Sequence, residues 1–100
     1  MALLDYIPTG EANAITTAEL LQLTGIPSVR ALRKEIHPLR EQGHIICASM
    51  EPPAGYYLAE NPQEAARFVR SMKSRLREIG RAIRAAKNYI QETGGESVDR

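Results

Sequence analysis

Residues 16–28 read Thr-Thr-Ala-Glu-Leu-Leu-Gln-Leu-Thr-Gly-Ile-Pro-Ser, and the fold is decided by how this run is read. Thr16 and Glu19 have the spacing of a capping box, in which a hydroxyl and a carboxylate each take a backbone amide left free at a helix start. Behind them Leu20, Leu21 and Leu23 supply the buried face of a short helix. Gly25 ends it, since the residue just past a helix usually turns to positive φ, and Pro27 blocks any continuation. Ser28 is a good cap for a second helix. Val29, Leu32, Ile36 and Leu39 recur there at helical spacing and predict one apolar face, with Arg30, Arg33, Lys34 and His37 pointing elsewhere. Pro38 has no amide to donate, so it is expected to bend or locally break this helix, and Gly43 to stop it.

Outward from this pair the pattern changes. On the N-terminal side, Ala2 to Ile7 is a short apolar piece of one or two helical turns, closed by Pro8-Thr9-Gly10. On the C-terminal side, the β-branched run His44 to Ser49 reads as a strand, Glu51 to Gly55 as a turn, and Tyr56 to Ala59 as the returning strand of a two-stranded hairpin. Asn61-Pro62-Gln63-Glu64 then opens a helix: Asn61 caps, Pro62 takes the first helical position, and Glu64 favours the positive end of the dipole. No breaker stronger than Gly80 follows before Gly94-Gly95, which predicts a helix of about 30 residues, or roughly 45 Å.

In this order the residues resemble a winged helix-turn-helix domain with a biotin-repressor-type wing. Residues 17–28 look like the first helix and turn, and Arg30-Ala31-Leu32-Arg33-Lys34-Glu35-Ile36 like a recognition helix. Leu39 to Ile46 is similar to the run into the wing, and Gly55-Tyr56-Tyr57-Leu58 to the strand that closes it. The chain also resembles short phage and prophage proteins that carry this module. The likeness covers somewhat under half of the chain. It implies a mainly α fold with an α+β wing and a winged-helix domain over 1–60, to which the residues themselves add a long C-terminal coiled-coil-like dimerisation helix over 61–92 and a disordered tail over 93–100.

In that family the second helix enters the major groove and its N-terminal part meets base edges. The resemblance therefore makes Ser28, Arg30, Arg33, Lys34 and His37 the candidate DNA contacts. Arginine suits guanine, because its fork donates to two acceptors on one base edge. Lysine and serine more often grip phosphate. The alternative is that Ser28 only caps and that Arg33 and Lys34 are solvated or paired with Glu35 or Glu41. The wing departs from the family pattern, with Glu51 and two prolines where a DNA-binding wing usually offers Arg or Lys.

From Ala65 the apolar residues of the long helix are Ala65, Val69, Met72, Leu76, Ile79, Ile83, Ala86 and Ile90, at spacings of 4, 3, 4, 3, 4, 3 and 4. An unbroken period of 3.5 is the seam of a left-handed coiled coil. Ala65, Phe68, Val69 and Met72, nearest the hairpin, can lie on the helix's own domain. Leu76, Ile79, Ile83 and Ile90 are too far along the helix for a core of about 60 residues to cover, and each left in water forgoes roughly 1.5–3 kcal/mol. A second copy of the chain is the expected partner, with Val69, Met72, Leu76, Ile79, Ile83, Ala86 and Ile90 as interface. Lys73, Arg75 and Lys87 flank the seam, which favours an antiparallel pair.

Charge sharpens the picture. Formal net charge is +1, yet residues 63–87 hold eight basic side chains against Glu64 and Glu78, while residues 1–62 hold four against seven acids. Arg67, Arg70, Arg77, Arg81 and Arg84 form a stripe on the opposite face from the seam, and this either follows a nucleic-acid backbone or keeps the helix solvated.

Little else suggests chemistry. Cys47 is the only cysteine, which excludes an intrachain disulfide and fits a cytoplasmic setting. No phosphate loop, dinucleotide fingerprint or zinc spacing occurs, and His37 and His44 have no ligand partners at suitable spacing. No enzyme activity, cofactor, metal, membrane or small-molecule substrate is expected. The leading expectation is a double-stranded DNA-binding homodimer that regulates phage, prophage or bacterial transcription or replication. The alternative is a protein-interaction adaptor that uses the same parts as scaffold.

Overall fold

A computed structural model of the chain describes residues 2–49 and 52–93. Helix α1 spans Thr17–Thr24 and α2 spans Val29–Glu41. Both begin as their caps dictate: Thr16 Oγ1 accepts from the Glu19 amide at 3.1 Å, and Ser28 Oγ from the Ala31 amide at 3.1 Å. Gly25 closes α1 in the left-handed region at φ 74°, its amide donating to the Leu21 carbonyl.

Three details differ from the sequence expectations. Leu23 is 57% exposed, so it leaves the predicted buried face. On so short a helix the packed arc runs through Leu20, Leu21 and Thr24, and Leu23 lies beyond its edge. Helix α2 runs on through Pro38 to Glu41, so of the expected bend or break the break does not occur. The proline removes one donor only a turn from the helix end, where the Gln42 amide donates to the Pro38 carbonyl and the Gly43 amide to that of Arg40. Val29 shares the face of Leu32 and Ile36 but stays exposed, because it sits in the first turn at the helix end.

The sheet has three strands where two were predicted. Strand β1 is Ile15–Thr16, β2 is Ile46–Ala48 and β3 is Gly55–Leu58, in the order β1-β3-β2 with both pairings antiparallel. Ile15 pairs with Tyr56, and Cys47 with Tyr57. At two residues β1 is too short for its alternation to be read. Thr16 serves it and the α1 cap at once. A Cβ on Gly55 would run into the Ile15 backbone carbonyl, so glycine is what lets β1 approach β3.

Ile7, Leu20, Leu32, Ile36, Ile46 and Tyr56 make the core, ringed by residues that include Tyr6, Ile26, Leu39 and Leu58. The predicted opening turns are a 3-10 turn at Leu3–Tyr6, which delivers Ile7 to this core. Arg40 donates from Nε and Nη2 to the Ile46 carbonyl at 2.9 and 2.7 Å, and its guanidinium lies 5.2 Å from the Phe68 ring centre.

Helix α3 is Pro62–Glu92. Internal contacts divide the chain into Met1–Phe68 and a second unit from Val69 on. The first unit, with two short helices, the opening turns of a third and a small antiparallel sheet, is compatible in outline with a winged-helix arrangement. Among the described residues no helix is long and apolar enough to cross a membrane. The predicted disordered tail lies outside the described residues, apart from Thr93, whose amide and hydroxyl both reach the Tyr89 carbonyl.

Candidate nucleic-acid interface

The candidate contacts of α2 follow from its periodicity. Leu32 and Ile36 are buried, so positions 30, 34 and 37, spaced four and three apart, fall on the opposite side, with Arg33 at the flank. Arg30, Arg33, Lys34 and His37 are all exposed. Among the described residues Arg30, Arg33 and Lys34 form no ion pair, so the pairing with Glu35 or Glu41 weighed for Arg33 and Lys34 is not seen. His37 instead has its Nε2 3.5 Å from the Glu41 carboxylate, an attraction that exists only when the imidazole is protonated. Ser28 caps the helix in extended backbone at φ −157°.

Arg33 also lines a cleft of about 420 Å³ together with Thr17, Val29, Ala48, Ser49 and Tyr56. One cation of α2 is thus shared between the helix face and a recess beside the hairpin. Glu51, the wing residue that departs from the family pattern, lies outside the described residues, while Pro52 and Pro53 are exposed.

The basic stripe of α3 is not uniform. Arg67 is tied into the first unit, 3.0 Å from the Glu11 carboxylate and 3.9 Å from that of Glu64, and this pairing holds its guanidinium more firmly protonated. Arg70, Arg77, Arg81 and Arg84 are exposed and have no ion-pair partner among the described residues. Along the seam Leu76 is 69% exposed, Ile79 52% and Ile83 50%, with Val69 and Ala86 also exposed and Met72 and Ile90 half-buried.

Two residues do more than their sequence positions suggest. Glu64 suits the helix dipole by its position, yet it is the one buried charged residue among those described. Its carboxylate accepts from the Glu60 amide at 2.9 Å and from the Glu11 amide at 3.2 Å, while its own amide donates to Asn61 Oδ1. Those amides, the Glu60 one foremost, hold its carboxyl below the usual carboxylate range despite burial. The Asn61-x-x-Glu64 spacing is that of a capping box and is the available signal, although the reciprocal bond comes from the Glu60 amide in place of that of Asn61. Arg40 counted only as a charge in the sequence, and its bond to the Ile46 carbonyl left no local trace there. Cys47 is buried, which pushes its thiol up, away from the reactive thiolate. Among the described residues no cluster of His, Cys, Asp or Glu is placed to hold a metal ion.

Comparison with protein-family models, with curated proteins and with solved structures gives no match to this chain.

Proposed function

We propose that the chain is a winged helix-turn-helix protein that binds double-stranded DNA as a homodimer, acting in the cytoplasm as a phage, prophage or bacterial regulator of transcription or replication, without enzyme activity. The observation that carries this reading is the row of exposed cations on α2, Arg30, Arg33 and Lys34, without ion pairs among the described residues and backed by the buried Leu32 and Ile36. In the major groove Arg30 and Arg33 would read guanine edges, and Lys34 would hold phosphate. Ser28 and the first amides of α2 suit a phosphate oxygen, because they carry the positive end of the helix dipole. Arg70, Arg77, Arg81 and Arg84 would add backbone contacts that weaken steeply with salt. The seam of α3 would fix two winged helices at a set separation and so set half-site spacing.

Fluorescence anisotropy with random-sequence duplex DNA at low salt tests the reading. Binding in the micromolar range is expected, with Arg30→Ala/Arg33→Ala weakening it by roughly tenfold or more, because each good base contact is worth about 1–3 kcal/mol. No binding at tens of micromolar would remove DNA as the partner. A protein-interaction adaptor is the second reading, favoured by the apolar side chains Leu23, Val29 and Ile45 left exposed on the first unit. If DNA binding is absent, those three residues are where a protein partner would be sought.

A further inference from the structure

Resting on the proposed homodimer, we infer that two copies of α3 pair antiparallel, in a register centred between Arg77 and Glu78, and thereby gather the basic side chains of both copies on one face that takes a DNA backbone. The seam alternates between two positions: Val69, Leu76, Ile83 and Ile90 at one, Ala65, Met72, Ile79 and Ala86 at the other. In a parallel in-register pair each residue meets its own copy, so two layers hold only alanines and the others hold two large side chains. The antiparallel register instead sets Val69 against Ala86, Met72 against Ile83, Leu76 against Ile79 and Ala65 against Ile90. Every small residue then faces a larger β-branched one, and layer volumes even out.

The flanking residues agree with this register and not with its neighbours. Lys73 comes opposite Gly80, Arg75 opposite Ala82, and Lys87 opposite Ala66, so no two like charges meet directly. A slip of one heptad in either direction sets lysine against lysine, either Lys73 against Lys87 or Lys73 against its own copy. In the centred register Arg75 also comes within reach of Glu78 of the other copy, an attraction repeated by the two-fold axis. Glu78 is exposed and has no ion pair among the described residues.

Symmetry then decides what the paired helices present. In a parallel pair the two-fold axis runs along the helices and sends the two basic stripes to opposite sides. In an antiparallel pair the axis is perpendicular to the helices, and both copies of Arg70, Lys73, Arg77, Arg84 and Lys87 fall on one side. Such a concentration of one charge on an elongated surface repels itself and is relieved by a polyanion, which links pairing to DNA binding.

Double electron–electron resonance on the full chain, with a nitroxide at Ser74→Cys or at Asn88→Cys, reads the orientation directly. Both sites lie on the side away from the seam, and Cys47 is buried from the label. The antiparallel register expects the Asn88 distance to exceed the Ser74 distance by roughly 15 Å, from the 1.5 Å rise per residue. Equal distances at the two sites would overturn the antiparallel pairing while leaving the proposed dimer standing. No dipolar coupling at either site would remove the dimer, and this inference with it. For the basic face, Arg70→Gln/Arg77→Gln/Arg84→Gln is expected to weaken duplex binding at least tenfold and to flatten its salt dependence. Unchanged affinity would overturn the docking role of that face.

Discussion

Leu32 and Leu76 are the same side chain at helical spacing in the same chain, and they meet opposite fates. Leu32 is completely buried, while Leu76 is 69% exposed. The first unit closes its own core from α1, α2, the sheet and the opening 3-10 turn, leaving only Leu23, Val29 and Ile45 of its large apolar side chains exposed among the described residues. From Val69 onward an equally regular apolar pattern keeps Val69, Leu76, Ile79 and Ile83 exposed. Periodicity alone says that a helix has a face to bury; whether the chain can bury it depends on reach. In the proposed dimer, the second copy supplies what the seam lacks within one chain.

The sharpest way to break this contrast is truncation in each region. Leu32→Ala should cost about 2–5 kcal/mol, because it leaves a cavity among Leu20, Ile36 and Ile46, read as a lower midpoint in urea unfolding. Gly55→Ala comes next, at roughly 1–3 kcal/mol in the same assay, since its methyl group must push β1 away from β3. Asn61→Ala should cost about 1 kcal/mol through loss of the cap bond to the Glu64 amide. Leu76→Ala belongs at the bottom, within about 0.5 kcal/mol for the dilute single chain. A loss for Leu76→Ala as large as that for Leu32→Ala, in dilute protein, would show that the seam is covered by its own chain.

Acid sharpens the comparison from another side. The Glu64 carboxyl titrates lower in the folded state than in the unfolded one, so its contribution is complete above the ordinary glutamate value of about 4.3. It is lost as pH falls from there through the lower folded value. Glu64→Gln should therefore flatten the decline in stability over that window and lower stability at neutral pH. The seam of α3 contains no carboxylate, so Leu76→Ala should leave the acid profile unchanged.

The legible parts of the fold were those specified by neighbours in sequence. Thr16, Gly25, Ser28 and Asn61 each act within four residues, and all four do in the structure what their types and spacing imply. What escaped was specified at long range. Strand β1 has no pattern of its own and exists because β3 offers an edge and Gly55 a gap. The bond from Arg40 to Ile46 and the contact of Glu64 with the Glu11 amide depend on how elements meet, and a solvated arginine looks the same in sequence as a bonded one. The exposure of Leu23 is not legible either, because three leucines in four residues fit several faces of a short helix. At the candidate interface, the exposure of Arg30, Arg33 and Lys34 followed from the spacing of Leu32 and Ile36. The separation of Arg67 from the other arginines of α3 did not, since Glu11 is more than fifty residues away.

Sedimentation equilibrium of the full chain beside Leu76→Glu/Ile83→Glu tests most directly whether the seam is an interface between copies. A wild-type dimer at micromolar concentration is expected, with the double variant monomeric and its first unit still folded. A wild-type chain that remains a single copy at hundreds of micromolar would contradict it.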